Sequence, residues 1–316
     1  MSAGQRLPNT PEPMHRWQSA DGIHIAGDSW GDPSGPLVLL QHGGGQTRHA
    51  WKNAGEALGK AGYYAIAFDA RGHGDSDWAP DGRYGQDAMV QDLCALLEQL
   101  DNRRPVLVGA SMGGGTSLVA TGEDYVDATA LVMVDIAPKI EMKGAENISR
   151  FMRSHPDGYD SLEDVAEAIG NYQPHRKPPK DLKGLAKNLR LAENGKYRWH
   201  WDPAFMSKPH DIVKRSERLE ACASALKLPT QLVRGGLSDI LSEEGAQQFL
   251  LLCPHAEYVN ITDAGHMVAG DRNDVFSNAV IEFLTRTVPV VGKPVQSPHE
   301  PHPIQRDPND DVTDIP

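Results

Sequence analysis

Short, mainly apolar runs recur along this chain at residues 36–41, 63–68, 106–109, 130–135, 229–236 and 257–261, each bounded by glycine, proline or polar turns. None alternates apolar with polar positions, so each reads as a strand buried on both faces. Segments with a three-to-four residue repeat lie between them. Residues 85–101 place Met89, Leu93, Leu96, Leu97 and Leu100 on one stripe, which predicts an amphipathic helix. Helices are also expected at about 47–60, ended by Gly62, and at 274–287. Two shorter strands, 14–19 and 22–30, are predicted to turn at Asp21-Gly22, while residues 1–13 read as a loosely held arm. Buried strands separated by helices specify an α/β fold with a mainly parallel sheet of about eight strands, covered by helices on both sides.

The rhythm stops between 137 and 222. That stretch is polar and helix-like, is broken by Pro156, Pro174, Pro178, Pro179, Pro203 and Pro209, and carries Phe151, Tyr172, Trp199, Trp201 and Phe205. It is too long for a loop inside a compact domain, so it reads as an inserted helical lid. The expected organisation is a core in two parts, 1–136 and 223–288, the lid at 137–222, and a proline-rich tail at 289–316.

Composition narrows the function. Of 316 residues, 31 are Lys or Arg and 43 are Asp or Glu, a net charge of −12. Nucleic acid and anionic membranes call for basic surface, so neither is expected as a partner. Cys94, Cys222 and Cys253 lie far apart, without metal-ligand spacing, which suits a reducing compartment. No window offers the roughly eighteen apolar residues of a membrane span, and the first thirty lack a signal-like apolar stretch. A cytoplasmic location is the expectation, with no metal and no cofactor.

The strand beginning at Val106 passes without a loop into Gly109-Ala110-Ser111-Met112-Gly113. Glycines two before and two after a serine mark a strand-to-helix turn too tight for side chains at those positions, with the serine oxygen raised above the sheet. Phosphate-binding readings fail on spacing. Gly109-x-x-x-x-Gly114 is followed by Gly115, not lysine, and Ser111 stands where a dinucleotide fingerprint needs its second glycine. A serine nucleophile needs a base and an orienting carboxylate. Asp239 and His266 each follow a predicted strand, at the sheet edge where Ser111 also lies, so these three form the expected triad. Asp135, just past the strand before the lid, is the rival acid. His42 and His73, in glycine loops, read as structural groups bonding backbone carbonyls.

The order Ser111, Asp239, His266 resembles that of the α/β-hydrolase fold, and the resemblance spans about residues 20–288. It includes His42-Gly43-Gly44, Arg71-Gly72-His73-Gly74-x-Ser76, the serine turn, the lid and Asp263-Ala264-Gly265-His266. The chain is similar to lidded serine hydrolases, the haloperoxidase-like esterases and carbon–carbon hydrolases. The resemblance implies a cofactor-free ester hydrolase working through an acyl-enzyme, with the backbone amides of Gly44 and Met112 as the oxyanion hole. Perhydrolysis and carbon–carbon cleavage use the same triad and stay open; a catalytically silent binding protein of this fold is the third reading, against which the complete triad argues.

The lid adds a substrate expectation. Between 171 and 200 there are eight Lys or Arg against two Asp or Glu, a local excess of six positive charges. This suggests a small-molecule substrate with an apolar body and a carboxylate, or else a solvated helix face. Trp199, Trp201 and Phe151 are candidate substrate contacts. The two tryptophans, two apart in an extended segment, can face one side and line an acyl pocket or pack the lid's own core.

Overall fold

The computed structural model describes residues 4–172, 182–207 and 212–290, apart from the side chains of Lys183 and Ile212. In chain order the strands and helices are β1 (Gln5–Arg6), β2 (His15–Gln18), β3 (His24–Trp30), β4 (Leu37–Gln41), α1 (Lys52–Ala61), β5 (Tyr64–Phe68), α2 (Gln86–Glu98) and β6 (Val106–Ala110). There follow α3 (Met112–Gly122), β7 (Ala130–Val134), α4 (Met142–Arg153), α5 (Leu162–Tyr172), β8 (Leu189–Leu191), β9 (Tyr197–Trp199) and α6 (Ile212–Ala225). The chain continues through β10 (Thr230–Gly235), α7 (Glu243–Leu252), β11 (Glu257–Ile261), α8 (Val268–Asp271) and α9 (Asn273–Thr287).

Eight strands form one sheet in the order β11-β10-β7-β6-β4-β5-β3-β2. The six strands from β11 to β5 pair in parallel, and only β3 and β2 run antiparallel at one edge. Odd and even positions of each central strand feed different cores. Leu37, Leu39, Ile66, Leu107 and Leu131 meet Leu93, Leu96 and Leu97 of α2, Leu118 of α3 and Leu219 of α6. Val38, Leu40, Val106, Val108 and Val132 meet Leu58 of α1 and Phe276, Val280 and Phe283 of α9. Two buried faces explain the absence of polar alternation in the sequence. Gly62 ends α1 at φ 101°, a left-handed cap that glycine adopts without penalty.

Two expectations about the excursion between β7 and β10 change. The arm at 1–13 is not loose throughout, because β1 pairs antiparallel with β8, which pairs with β9 to make a small separate sheet. The segment expected as lid up to residue 222 ends earlier, since α6 buries Leu219, Cys222 and Ala223 in the main core. Its sequence looks polar because only one stripe turns inward. Among the described residues, no helix is long and apolar enough to cross a membrane. The tail from 291 onward lies outside the described residues.

Candidate active site

The turn between β6 and α3 is as tight as the glycine spacing requires. A Cβ on Gly109 would sit 2.4 Å from the Gly113 carbonyl oxygen, and one on Gly113 would sit 2.5 Å from that of Gln41. Both obstacles are backbone, so neither can move aside. Ser111 takes φ 47° and ψ −107°, a conformation that costs a non-glycine residue on the order of 1–3 kcal/mol and persists only when its surroundings enforce it. The Ser111 amide donates to the Val134 carbonyl at 3.1 Å, and the Gly113 amide to that of His42 at 3.2 Å. The Ser111 hydroxyl has no hydrogen-bond partner among the described residues and borders a large cavity.

Register decides the acid. Ala110 of β6 pairs with Val134 of β7, so Ser111 and Asp135 each stand one residue beyond the same rung. The imidazole of His266, which comes from the loop after β11, meets Asp135 with Nδ1 to Oδ2 at 2.6 Å. Asp135 is fully buried at φ 52°, and its carboxylate also accepts the Gly235 amide at 2.8 Å and the Ser238 hydroxyl. The structure therefore corrects the expected triad: the carboxylate that touches His266 belongs to Asp135, not Asp239. The reason lies in the turn after β10. Ser238, closed by its own amide to the Gly235 carbonyl at 3.0 Å, is the residue that points its side chain inward. Asp239 is left exposed on a separate cleft lined also by Asp263 and His266. A carboxylate directly after an unbroken apolar strand was the available signal, since such a group must be buried and so must have partners.

The loop after β4 supplies backbone donors. The Gly43 amide is taken by Gln46 Oε1 at 3.0 Å, while neither the Gly44 nor the Met112 amide has a protein acceptor among the described residues. Gly44 and Met112 both border the cavity beside Ser111. A Cβ on Gly43 would come within 3.3 Å of the Ser111 Cβ, which shows how closely the loop approaches Ser111.

Three buried histidines hold this loop. His42 donates from Nδ1 to the Gly43 carbonyl at 2.8 Å and accepts the Ala70 amide at Nε2 at 2.9 Å. His73 accepts the Gly45 amide at 3.1 Å, and His200, from the excursion, accepts the Gly74 amide at 2.7 Å and faces the Gly45 carbonyl at 3.3 Å. His42 thus bonds the Gly43 carbonyl, and His73 Nδ1 meets that of Arg71 at 3.2 Å, as the sequence suggested; the inward role of His200 was not legible. A backbone amide can only donate, so each ring must keep one nitrogen unprotonated. Burial lowers all three pKa values, that of His73 to about 3. Below an unfolded value near 6.5 the unfolded chain binds these protons first. The contribution to stability is full above pH 6.5 and is lost as the pH falls toward the folded values, by about 1.4 kcal/mol per unit per histidine. Urea unfolding at pH 7 and pH 5 should show this loss, and His200→Gln should narrow the gap by about 2 kcal/mol.

Charge ties the same region to the excursion. Arg48, wholly buried, contacts Asp28, Asp69 and Asp75 at 2.6–2.9 Å, and Arg190 of β8 reaches Asp75 at 2.8 Å. Arg190 is one of the eight cations counted between 171 and 200, and it neutralises the protein's own carboxylate. Lys196 likewise pairs with Asp160 at 3.1 Å. Arg176, Lys177 and Lys180 lie outside the described residues.

The cavity measures about 820 Å3 and is bordered by Ser111, His266, Ile136, Met152, Phe205 and Ile240 among others. Phe151, Trp199 and Trp201 all reach it, and the two indoles stack with centroids 5.0 Å apart and planes 10° apart. They also pack with Met152, Tyr159 and Val165 in a second core, to which the N-terminal arm adds Leu7. The same rings thus border the cavity and pack a core. Among the described residues, no group of three or more His, Cys, Asp or Glu side chains is placed to hold a metal ion.

Comparison with known proteins agrees with this architecture. The family defined by the alpha/beta hydrolase fold matches residues 36–162. An esterase of Mycobacterium tuberculosis, Rv0045c, is 30% identical over 267 residues, covering 81% of this chain and 83% of that protein. The sn-1-specific diacylglycerol lipase ABHD11 of Mus musculus is 27% identical, with 80% and 82% covered. The crystal structure of E-2-(acetamidomethylene)succinate hydrolase superposes with a TM-score of 0.74 over 85% of this chain and 98% of its own, at 21% identity, a likeness of fold. With its eight-stranded sheet, its serine turn and a relative of this closeness along most of its length, the chain belongs to the α/β-hydrolase fold family and is a hydrolase.

Proposed function

We propose that the protein cleaves carboxylic esters through Ser111, His266 and Asp135 by way of an acyl-enzyme. The observation that carries this is the 2.6 Å contact between His266 Nδ1 and buried Asp135 at the rung where Ser111 enters the cavity. Asp135, accepting the Nδ1 proton, fixes the tautomer that leaves Nε2 as a base. Nε2 takes the Ser111 proton as the oxygen adds to the ester carbonyl, and the amides of Gly44 and Met112 receive the developing oxyanion. One such donor contributes about 3 kcal/mol to the transition state. His266 returns the proton to the departing alcohol, and water, deprotonated by the same ring, releases the acid.

The excursion between β7 and β10 serves as lid. It supplies Phe151, Trp199 and Trp201 as walls for an apolar acyl group. The esterase and lipase among the relatives support ester chemistry over the other uses of such a triad. Mixing the enzyme with 4-nitrophenyl butyrate should release one equivalent of nitrophenolate in a burst. A rapid acid quench should leave a butyryl group on the peptide containing Ser111. Steady turnover with neither burst nor adduct, in a quench fast enough to catch the first cycle, would count against a covalent route.

A further inference from the structure

One cation bordering the cavity has no counterpart among the described residues. Arg215, on the first turn of α6, borders the same cavity as Ser111. Among the described residues it has no ion pair and no hydrogen bond, and burial is the sole cause lowering its pKa. Its neighbour one turn along α6 behaves in the opposite way: Arg218 meets Glu123 at 2.6 Å and Asp87 at 2.7 Å. Glu146 and Arg153 border the cavity too, but both are exposed, and neither contacts Arg215. Arg215 is half-buried, and a partly desolvated guanidinium without a carboxylate is stabilised when an anion arrives from outside.

The space around it is shaped for that anion. Gly115 lies four residues after Ser111 on α3, hence on the same helix face and about 6 Å further along. With no side chain there, the ends of two others converge above the helix: a Cβ on Gly115 would stand 3.3 Å from Arg215 Nη2 and 2.8 Å from Gln86 Nε2. Both groups donate only, and Gln86 also borders the cavity. Thr116 nearby is already committed, donating to the Met112 carbonyl at 3.1 Å.

We propose that Arg215, with Gln86, binds a carboxylate on the substrate one helical turn from the ester carbonyl that Ser111 attacks, so that the preferred substrates are esters carrying a second, anionic end. This rests on the serine-esterase reading above. The cation that selects the substrate thus lies on α6, not among the charges at 171–200. A planar guanidinium receives a carboxylate through two parallel hydrogen bonds, and an ion held this way gains specificity as well as affinity. A chain of four methylenes is about as long as the helical turn, ~6 Å, that separates Ser111 from Gly115.

The test compares the 4-nitrophenyl monoester of adipic acid with 4-nitrophenyl 6-methylheptanoate, in which an isopropyl group replaces the carboxylate at equal size. Wild-type enzyme should favour the anionic ester, and Arg215→Met should lower the ratio of the two kcat/KM values by about 10- to 100-fold, the worth of a charged hydrogen-bonded contact. Arg215→Lys should recover part of the ratio, and added salt should lower the wild-type value. As a check that needs no variant, hexanoate should inhibit neutral-ester turnover at least tenfold better than hexanamide. An unchanged ratio in Arg215→Met with both esters still cleaved, or equal inhibition by the two hexanoyl compounds, overturns the proposal. If wild type cleaves neither ester and acquires no adduct at Ser111, it is the hydrolytic reading itself that falls.

Discussion

Asp135→Asn should lower kcat/KM toward an activated ester by about 10,000-fold, while Asp239→Asn should stay within about threefold of wild type. The asymmetry follows from what each side chain touches. Asp135 is the acceptor for His266 Nδ1 at 2.6 Å, and asparagine there can present its NH2 to the ring and stabilise the tautomer with its proton on the wrong nitrogen. The loss corresponds to about 5.4 kcal/mol of transition-state stabilisation. Asparagine keeps an oxygen for the Gly235 amide, now bonded at 2.8 Å, so the fold should survive; matching thermal midpoints would establish that the loss is chemical. Asp239 is exposed and makes no contact with His266. The opposite pattern, with Asp239→Asn crippled and Asp135→Asn active, would falsify the assignment made here.

Ser111→Ala should reduce kcat by about a million-fold while the neutral ester still binds, because the cavity walls and the backbone amides remain. Alanine keeps the Cβ of serine, so it inherits the same strained φ of 47° and should not relax the turn. Reaction with a fluorophosphonate probe, which reports the activated hydroxyl directly, should vanish. Combining Ser111→Ala with Asp135→Asn should cost no more than Ser111→Ala alone, since once the nucleophile is gone the base has no proton to receive. A double variant much slower than either single one would mean the two residues act in separate steps.

The candidate site was legible in unequal parts. Ser111 could be found because its turn is local: the clash of Gly109 with Gly113 lies within five residues of chain, and glycine spacing records it. His266 could be found because it follows a strand at a known edge of the sheet. The acid was a choice between two aspartates, each past a strand: the family resemblance favours Asp239, whereas the structure sets Asp135 against His266. The contact spans 131 residues of sequence, and its geometry depends on which side chain of the turn after β10 faces inward. That turn offers Ser238 and Asp239 in succession, and nothing in their order says which will reach the interior. The convergence of Arg215 and Gln86 over Gly115 was equally hidden, since it joins three helices.

The sequence by itself determined the α/β layering, the parallel strands and the tight turn at Ser111, since burial on both faces and a backbone clash each impose a residue pattern on neighbouring positions. Tertiary structure alone decided which carboxylate meets His266, which histidines brace the loop after β4, and which cation borders the cavity without a partner among the described residues. Those outcomes depend on burial and on partners far apart in the chain, and a side chain's neighbours across a sheet edge leave no periodic mark on its own segment.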